Sequence, residues 1–519
     1  MRGDHKEFEL KFELADEELR RLRSKRLLRE IGVDRPVTRV VRSIYFDTPD
    51  SALRAAGLSL RLRRDRKAWL QTVKDCPDGP AGVSDRLESE SRLQSQVPDL
   101  TAIKPKSLRK RIKKTIGTAA LEPVFETVVW RTTRRLRTAE GCEIELALDK
   151  GEVRSAELAE TFHEAELELK SGSQQSVFAV ARELFADEPP QLSHLTKADR
   201  GYRLNGALPA PAVEPQTARA PVLTPDLTAA QAFRKILRAC RDQILHNVRV
   251  VLETEHPGGP HQLRIGLRRL RCALRAYRPI GDKQQFRRLS SEARDLARTV
   301  GELRDADVVI DEFIAPHAEQ HPAEPGIAAL LKTVRAHRER VRKAVRRQLA
   351  SARAKAFQFD LCAMLEADPP YGTPDSAKAD MADTPVCDYV PGVLQAHWRK
   401  PAKLGKRLDQ LSIAERHQMR KALKNLRYVV EFHASLYPGK AVRRYVGHLK
   451  KLQSVFGYLN DVAMTKKLRE ICSGRGAADV DMHWAIGHLQ GLNEARAEYA
   501  WETARARWRT LNTVPAFWA

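Results

Sequence analysis

The sequence of 519 residues predicts an α+β domain followed by an all-α domain. Two observations support this prediction. Residues 1–205 consist of short runs in which charged and apolar residues alternate, which is typical of β-strands. Residues 226–519 consist of long Arg- and Leu-rich segments with helical spacing, and a Pro- and Ala-rich stretch at 206–225 separates the two textures. We therefore predict two different domains joined by a linker.

The charge of the chain favours a polyanionic partner. The sequence contains 91 Lys and Arg against 67 Asp and Glu, a net charge of +24. The seven cysteines are widely spaced and form no CxxC pair, so neither a disulfide framework nor a zinc site is indicated. Neither a signal-peptide pattern nor a run of about 18 apolar residues is present. We expect a cytoplasmic protein without a membrane partner.

The first predicted strand, "HKEFELKFEL" at residues 5–14, has one charged face and one apolar face. Glu7, Glu9 and Lys11 share one face, and Phe8 lies on the other. The same alternation recurs in "LSLRLRR", "RLESE", "EIELALD" and "HEAELELK". For any one strand, the charged face could simply meet solvent. As a set, however, these strands use almost only Glu and Arg, and a sheet curled with those faces inward would suit a metal ion and a phosphate group.

Glu7, Glu9 and Lys11 form an ExExK pattern, and several short motifs follow it along the chain. They are "YFDTP", the Arg61 and Arg63 pair, Lys74 in "QTVK", Arg86 with Glu88, "ELALDKG", "EAELELKSG" and "LTKADRGYRL". As a set and in this order, they give residues 4–205 a resemblance to the CYTH family, the triphosphate tunnel metalloenzymes. The resemblance implies a closed eight-stranded antiparallel β-tunnel with outer helices. It also implies a tunnel domain at 1–205 and a bound Mg²⁺ or Mn²⁺ ion.

The resemblance also implies roles for individual residues. Glu7, Glu9 and Lys11 would be catalytic. The metal ligands would be Glu7, Glu9, Glu88, Glu145, Glu166 and Glu168. The triphosphate would be bound by Arg39, Arg61, Arg63, Lys74, Arg86, Arg131 and Lys197. Two positions stay open, because Arg42 could take the place of Arg39, and Arg134 that of Arg131.

The helical half contains an internal repeat. "HQLRIGLRRLR" at 261–271 and "HQMRKALKNLR" at 417–427 align at an offset of 156, and "VGELRDAD" and "FGYLNDVA" align at the same offset. Each copy places one His and three cations on a single helix face. These two stripes are His261, Arg264, Arg268 and Arg271, and His417, Arg420, Lys424 and Arg427. A stripe of this kind could be a solvated face, but facing stripes would form a groove for a linear polyanion.

This half resembles the CHAD family, the conserved histidine α-helical domain, over about 226–519. The resemblance implies two pseudo-symmetric four-helix bundles, at about 226–365 and 386–519, and binding of long-chain polyphosphate by the stripes. Arg304 of the first copy is replaced by Asn460 in the second. Asp305 and Asp461 do correspond, and we expect them to form ion pairs with stripe arginines.

A CYTH domain joined to a CHAD domain resembles bacterial inorganic triphosphatases. The function implied is metal-dependent hydrolysis of tripolyphosphate to pyrophosphate and phosphate by a cytoplasmic enzyme, with polyphosphate granules as a candidate location. Two alternatives stay open: a non-catalytic polyphosphate-binding scaffold, and a nucleotide or thiamine triphosphatase or class IV adenylate cyclase on the same fold. Aromatics make up only 6% and none lies within either stripe, so DNA or RNA is not expected as the main ligand.

Overall fold

A computed structural model describes the chain except for residues 1–5, 66–67, 76–82, 194, 207–212, 367–375, 459–467, 473–479 and 519. Side chains are also outside the described part at 6–7, 65, 83–87, 376–378, 456–458 and 493–500. The chain forms two units. The first comprises Met1–Glu214 and Ser351–Asp368, and the second comprises Pro215–Ala350 and Pro369–Ala519.

The described residues of the first unit form a sheet of nine antiparallel strands. They are β1 (Lys6–Glu13), β2 (Val37–Asp47), β3 (Leu58–Asp65), β4 (Ala68–Asp75), β5 (Val83–Leu93), β6 (Glu122–Arg137), β7 (Glu143–Ser155), β8 (Leu158–Ser171) and β9 (Gln191–Leu192). Their order in the sheet is β5-β4-β3-β2-β6-β7-β8-β1, with the short β9 added beside β1. Because β1 pairs with β8 on one side and with β5 on the other, the sheet closes. This closure confirms the predicted eight-stranded tunnel.

The helices are short among the strands and mostly long after residue 228, as the sequence pattern predicts. They are α1 (Asp16–Arg23), α2 (Arg26–Glu30), α3 (Ala52–Ala55), α4 (Lys106–Ile116), α5 (Gln174–Leu184), α6 (Lys197–Leu204), α7 (Ala229–Glu253), α8 (Gly258–Ala276), α9 (Lys283–Val308), α10 (Ala315–Gln320), α11 (Pro325–Leu349), α12 (Ala352–Glu366), α13 (Ser376–Asp383), α14 (Val386–Gly405), α15 (Ile413–His433), α16 (Gly439–Tyr458) and α17 (Val480–Thr513). A π-helical segment, Val309–Ile314, follows α9. Among the described helices, none is long and apolar enough to span a membrane.

The core of the first unit lies between the tunnel wall and the outer helices. Phe8, Leu10 and Phe12 alternate with the charged residues of β1 and are buried. The ring of Phe8 lies 6.1 Å from that of Phe178 on α5, and the ring of Phe12 lies 4.9 Å from that of Phe185. The apolar face of β1 therefore points outward to the helices, and the charged face points into the tunnel.

Helix α12 belongs to the first unit, although its sequence lies within the range predicted for the helical domain. The ring of Phe359 lies 5.4 Å from that of Phe178, and Arg182 donates to Asp360 at 2.9 Å. Both partners are on α5. The apolar residues of α12 therefore complete the layer outside β1, which no local sequence pattern indicates.

In the second unit, the same succession of helix contacts occurs twice. Helix α7 packs on α8, α8 on α9, and α9 on α11, while α14 packs on α15, α15 on α16, and α16 on α17. Helix α8 also packs on α15, and α11 on α17. The succession follows the sequence repeat. The arrangement as two separate four-helix bundles stays a prediction.

Candidate functional site

Strand register brings the charged residues of the first unit together inside the tunnel. Lys11 of β1 lies directly opposite Glu166 of β8, and Glu9 lies opposite Glu168. On the other side of β8, Asp149 of β7 lies opposite Glu164, and Arg131 of β6 lies opposite Asp149. Since side chains alternate along each strand, these positions share one face of the sheet. This face lines the lumen.

Glu166 lies at the centre of the lumen cluster. Its Oε1 accepts from Lys11 Nζ at 2.8 Å and from Lys197 Nζ at 2.7 Å. Its Oε2 accepts from Arg131 Nη2, which also binds Asp149 Oδ2 at 2.6 Å. Lys11 Nζ lies a further 3.3 Å from Glu9 Oε1. The structure therefore brings five of the predicted site residues, Glu9, Lys11, Arg131, Glu166 and Lys197, into one ion-pair network.

Asp149 and Glu164 are part of this network, and the sequence interpretation did not assign them to the site. Both side chains are 0% exposed, and both bind Lys197 Nζ, at 2.9 Å and 2.7 Å. Asp149 has the same strand parity as Glu145, and Glu164 the same as Glu166. That parity was the available signal. The short strand "EIELALD" did not show how far along it the lumen-facing positions extend.

Burial and ion pairing oppose each other in the pKa values of this network. Burial alone would raise the pKa of the Glu9 carboxyl, but the ammonium group of Lys11 holds it below its ordinary value. Burial alone would likewise raise the pKa of Glu166, but the adjacent Arg131 and Lys11 hold it well below its ordinary value. Burial lowers the pKa of Lys197, and its three carboxylate partners raise it well above the ordinary range. All of these groups are therefore charged near neutral pH.

Other predicted residues in the described part of the chain lie on the lumen face in smaller groups. Lys74 Nζ lies 2.8 Å from Glu88 Oε2, and Arg63 lies 3.5 Å from Glu90. Lys170 pairs with Glu168 and lies 3.9 Å from Glu145. Burial alone would lower the pKa of Arg61, but the nearby Tyr45 hydroxyl and Glu88 raise it above its ordinary value. The cations on β3 and β4 thus face the lumen with carboxylate neighbours.

The two positions left open by sequence are distinguished by the sheet. Arg131 contacts lumen carboxylates, whereas the side chain of Arg134 donates to the backbone oxygen of Asp34 at 3.1 Å. Arg39 lies directly opposite Arg131 and is exposed. Arg42 has the other parity and pairs with Glu126 at 2.6 Å. Arg39 and Arg131 are therefore the members on the lumen face.

Two predicted residues can be placed only by their backbone. Glu7 of β1 lies directly opposite Arg86 of β5, at the pairing that closes the tunnel. Their side chains lie outside the described part of the chain.

The lumen offers the kind of oxygen donors that a hard divalent cation prefers. Oxygens of Asp149, Glu164 and Glu166 lie within 4.8 Å of one another. Glu9 and Glu168 extend the same carboxylate surface across β1 and β8. Carboxylates at such spacing are the usual ligands of Mg²⁺ and Mn²⁺. The donor set therefore fits such an ion, although Lys197 already lies among the first three carboxylates.

A second candidate site is a cavity of about 1600 Å³ in the second unit. Helices α8 and α15 pack against each other, and their apolar sides, with Leu263, Leu267, Leu423 and Leu426, are buried. Their opposite sides line this cavity. All eight predicted stripe residues are among the lining residues: His261, Arg264, Arg268, Arg271, His417, Arg420, Lys424 and Arg427.

The cavity is strongly cationic. Among the described residues that line it, eleven are Lys or Arg, whereas two, Asp305 and Glu312, carry carboxylates. Arg264 is paired with Asp305 at 2.7 Å, as the sequence predicted for Asp305, and Asp461 lies outside the described residues. The excess of positive charge means that the lining can neutralise an anion.

Mutual repulsion in the cavity is visible in the pKa values of its lining. Burial and the neighbouring cations lower the pKa of Lys424 to about 7, that of Arg268 to about 10 and that of His261 to about 4. The free cavity therefore holds fewer protons than its side chains would hold in water. An anion placed in it would reverse these shifts.

Comparison with known proteins identifies the class of each unit. Residues 5–202 match the family model of the CYTH domain, and residues 235–470 match that of the CHAD domain. The chain is therefore a protein with a CYTH domain followed by a CHAD domain, which confirms both resemblances seen in the sequence.

Individual relatives are distant. An inorganic triphosphatase of Haemophilus influenzae is 27% identical over 167 residues, which cover 31% of this chain and 44% of that protein. The chain thus matches less than half the length of this relative. The crystal structure of the CHAD domain of the plant Ricinus communis is 25% identical, covers 58% of this chain and 98% of its own, and has a TM-score of 0.50. A candidate adenylyl cyclase of Hippeastrum is 20% identical. The match covers 40% of this chain and 99% of the cyclase chain, with a TM-score of 0.29.

Proposed function

We propose that the protein is a metal-dependent inorganic triphosphatase that hydrolyses tripolyphosphate to pyrophosphate and phosphate in the tunnel. The observation that carries this proposal is the lumen network, in which the half-buried Glu9, Lys11 and Arg131 and the buried Glu166 lie together and are charged. Buried charges of this number are costly to keep and suit a site that binds charge. The Haemophilus influenzae relative supports the reaction class.

The tunnel residues divide into two proposed roles. The carboxylates Glu7, Glu9, Glu88, Glu145, Glu166 and Glu168 would hold Mg²⁺ or Mn²⁺, which supplies charge neutralisation at the phosphate oxygens. Lys11 and the cations Arg39, Arg61, Arg63, Lys74, Arg86 and Arg131 would bind those oxygens, Arg by its planar fork and Lys as a point charge. A water molecule oriented by the lumen carboxylates would attack the terminal phosphorus. Phosphoryl transfer needs mainly such positioning and neutralisation.

The substrate proposal separates this protein from enzymes that share its fold. A nucleotide or thiamine triphosphatase, or a cyclase, needs a pocket for the base or the thiazolium ring. The network described above is built from charged side chains, and the apolar residues that alternate with it on β1 are turned toward the outer helices. The apolar residues on the lumen parity of β6, β7 and β8, which are Val129, Val153 and Phe162, are themselves buried against Ala198 and Tyr202 of α6. We therefore expect phosphate release from tripolyphosphate to exceed greatly that from ATP or thiamine triphosphate, measured side by side with Mg²⁺. Equal turnover of ATP and tripolyphosphate would contradict the substrate assignment.

We further propose that the cationic cavity of the second unit binds long-chain polyphosphate. The chain is thin and flexible, and its charges are closely spaced, so it can lie between the stripes of α8 and α15. A non-catalytic scaffold would share this cavity, but it would not need the charged tunnel network. The cavity proposal can therefore hold even if the tunnel is inactive.

Polyphosphate binding by the cavity should weaken as pH rises above 7. Bound phosphates would raise the lowered pKa of Lys424, so binding takes up a proton whenever the free amine is neutral. Below pH 7 the amine is charged in both states and affinity is at its full value. Between pH 7 and 9 we expect affinity to fall by up to about tenfold per pH unit. Calorimetry of the full chain with long-chain polyphosphate in EDTA would measure this.

A matched pair of variants isolates Lys424 as the cause. Lys424→Arg keeps its charge throughout this range, so its affinity should change little between pH 7 and 9. Lys421→Arg, which changes a neighbouring residue of the same cavity, should keep the wild-type pH dependence. An unchanged pH dependence in Lys424→Arg would show that another group takes up the proton.

A further inference from the structure

Lys197 contacts three carboxylates of the lumen face with a single ammonium group. Its Nζ lies 2.9 Å from Asp149 Oδ2, 2.7 Å from Glu164 Oε2 and 2.7 Å from Glu166 Oε1. Within the part of the chain that the structure describes, these three carboxylates have oxygens close enough together to hold a metal ion. The ammonium group thus occupies the position that a cation would take among them.

The surroundings of Lys197 hold it in this position. It is the first residue of α6, and the capping box of Thr196 and Asp199 fixes the start of that helix. Asp199 also pairs with Arg54. The side chain of Lys197 is 9% exposed, compared with 25% for Lys74.

We propose that Lys197 is a built-in counter-cation rather than a phosphate ligand. It replaces a metal ion among Asp149, Glu164 and Glu166, and as a positioning residue it orients Glu166 toward the lumen. A divalent ion cannot share this position. Its oxygen ligands would lie at about 2.0–2.2 Å, which would leave it in repulsive contact with the ammonium group.

This inference rests on the proposed function only in naming tripolyphosphate as the substrate. Its main test is metal binding and stability. Replacing Lys197 by Met removes the charge and keeps most of the volume, so three buried carboxylates lose their common partner. We expect Lys197→Met to have a lower Tm than wild type in EDTA. Because the three oxygens then form an open cation site, we also expect it to bind one more Mn²⁺ ion than wild type, measured by equilibrium dialysis.

Two further variants make the result specific. In Lys197→Met combined with Asp149→Asn, the additional Mn²⁺ ion should be lost, because one of its three ligands is gone. Lys74→Met removes a tunnel cation that contacts Glu88 at 2.8 Å, and we expect no additional Mn²⁺ ion in it. If Lys197→Met does not fold in EDTA, the inference requires that it refold when Mn²⁺ is supplied, and failure to do so would contradict it.

The opposite role for Lys197 predicts a different pattern. If its ammonium group binds the substrate, Lys197→Met should raise KM for tripolyphosphate while leaving the Mn²⁺ stoichiometry unchanged, and that result would overturn the inference. If wild type and variant are both inactive toward tripolyphosphate but the additional Mn²⁺ ion is found, the proposed function fails and the counter-cation role of Lys197 stands.

Discussion

Replacing Glu166 by Gln should reduce phosphate release from tripolyphosphate by on the order of 100-fold or more. The substitution keeps the shape of the side chain and removes the charge at the centre of the lumen network, where Lys11, Arg131 and Lys197 converge. Losses of this size are typical when a preorganised charge in an active site or the surroundings of a metal ion are altered. Glu9→Gln should behave alike, because Glu9 shares Lys11 with Glu166.

The loss must be separated from a loss of folded protein. The pKa of Glu166 is held well below its ordinary value, so its charge contributes stability at neutral pH that disappears as pH falls through the acidic range. Glu166→Gln lacks that contribution and should have a lower Tm, so activity is measured well below it. Glu152→Gln is the matched control. Glu152 lies on β7 with the parity opposite to that of the lumen residues Glu145 and Asp149, and it pairs with Arg154 at 2.8 Å. Near-normal turnover by both Glu9→Gln and Glu166→Gln would contradict a catalytic role for the charged face and would indicate a structural role.

Removing three cations of the helical cavity should have the largest effect on polyphosphate binding. Each phosphate that is neutralised releases counterions, so the logarithm of the binding constant falls with the logarithm of salt concentration. In the combined variant Arg268→Gln, Arg420→Gln and Lys424→Gln, that slope should become shallower by about 2, and affinity at low salt should fall steeply. The full chain is required for the measurement, because α12 lies within the helical half of the sequence but packs in the first unit.

A control of equal charge tests whether the cavity or general basicity is responsible. Lys104→Gln removes a cation just before α4, and Lys106→Gln and Arg109→Gln remove two from its first turn. Leu108 and Ile112 of this helix pack on the apolar outer face of β3. We expect this variant to keep the wild-type affinity and salt slope. If both variants lost the same affinity, or if duplex DNA of equal charge bound as tightly as polyphosphate, the cavity would not be a specific polyphosphate site.

Alternation in the sequence was sufficient to predict which strand residues face the tunnel. Glu9 and Lys11 are spaced by two within β1, as are Glu166 and Glu168 within β8, and a period of two fixes which residues of a strand share a face. The stripes on α8 and α15 were predicted for the corresponding reason, because helical spacing fixes which residues share a face. The common cavity of the two stripes required the packing of α8 on α15, which the repeat suggested but could not specify.

Contacts between distant segments could not be read from local patterns. Whether Arg39 or Arg42 faces the lumen depends on the register of β2 against β6. The association of Lys197 with Asp149 and Glu164 depends on where α6 meets β7 and β8. The same limit explains α12, whose Phe359 packs on α5 although more than 160 residues separate the two helices in sequence. In each case the partner is set by tertiary packing.

The most direct test of the account is the hydrolysis of tripolyphosphate by the full chain, followed by phosphorus NMR in EDTA and after addition of Mg²⁺ or Mn²⁺. The tunnel proposal predicts no reaction in EDTA, and equimolar pyrophosphate and phosphate when either ion is present. Undiminished hydrolysis in EDTA, or no hydrolysis with either ion, would contradict the proposal that the buried carboxylates and cations of the tunnel form a metal-dependent triphosphatase site.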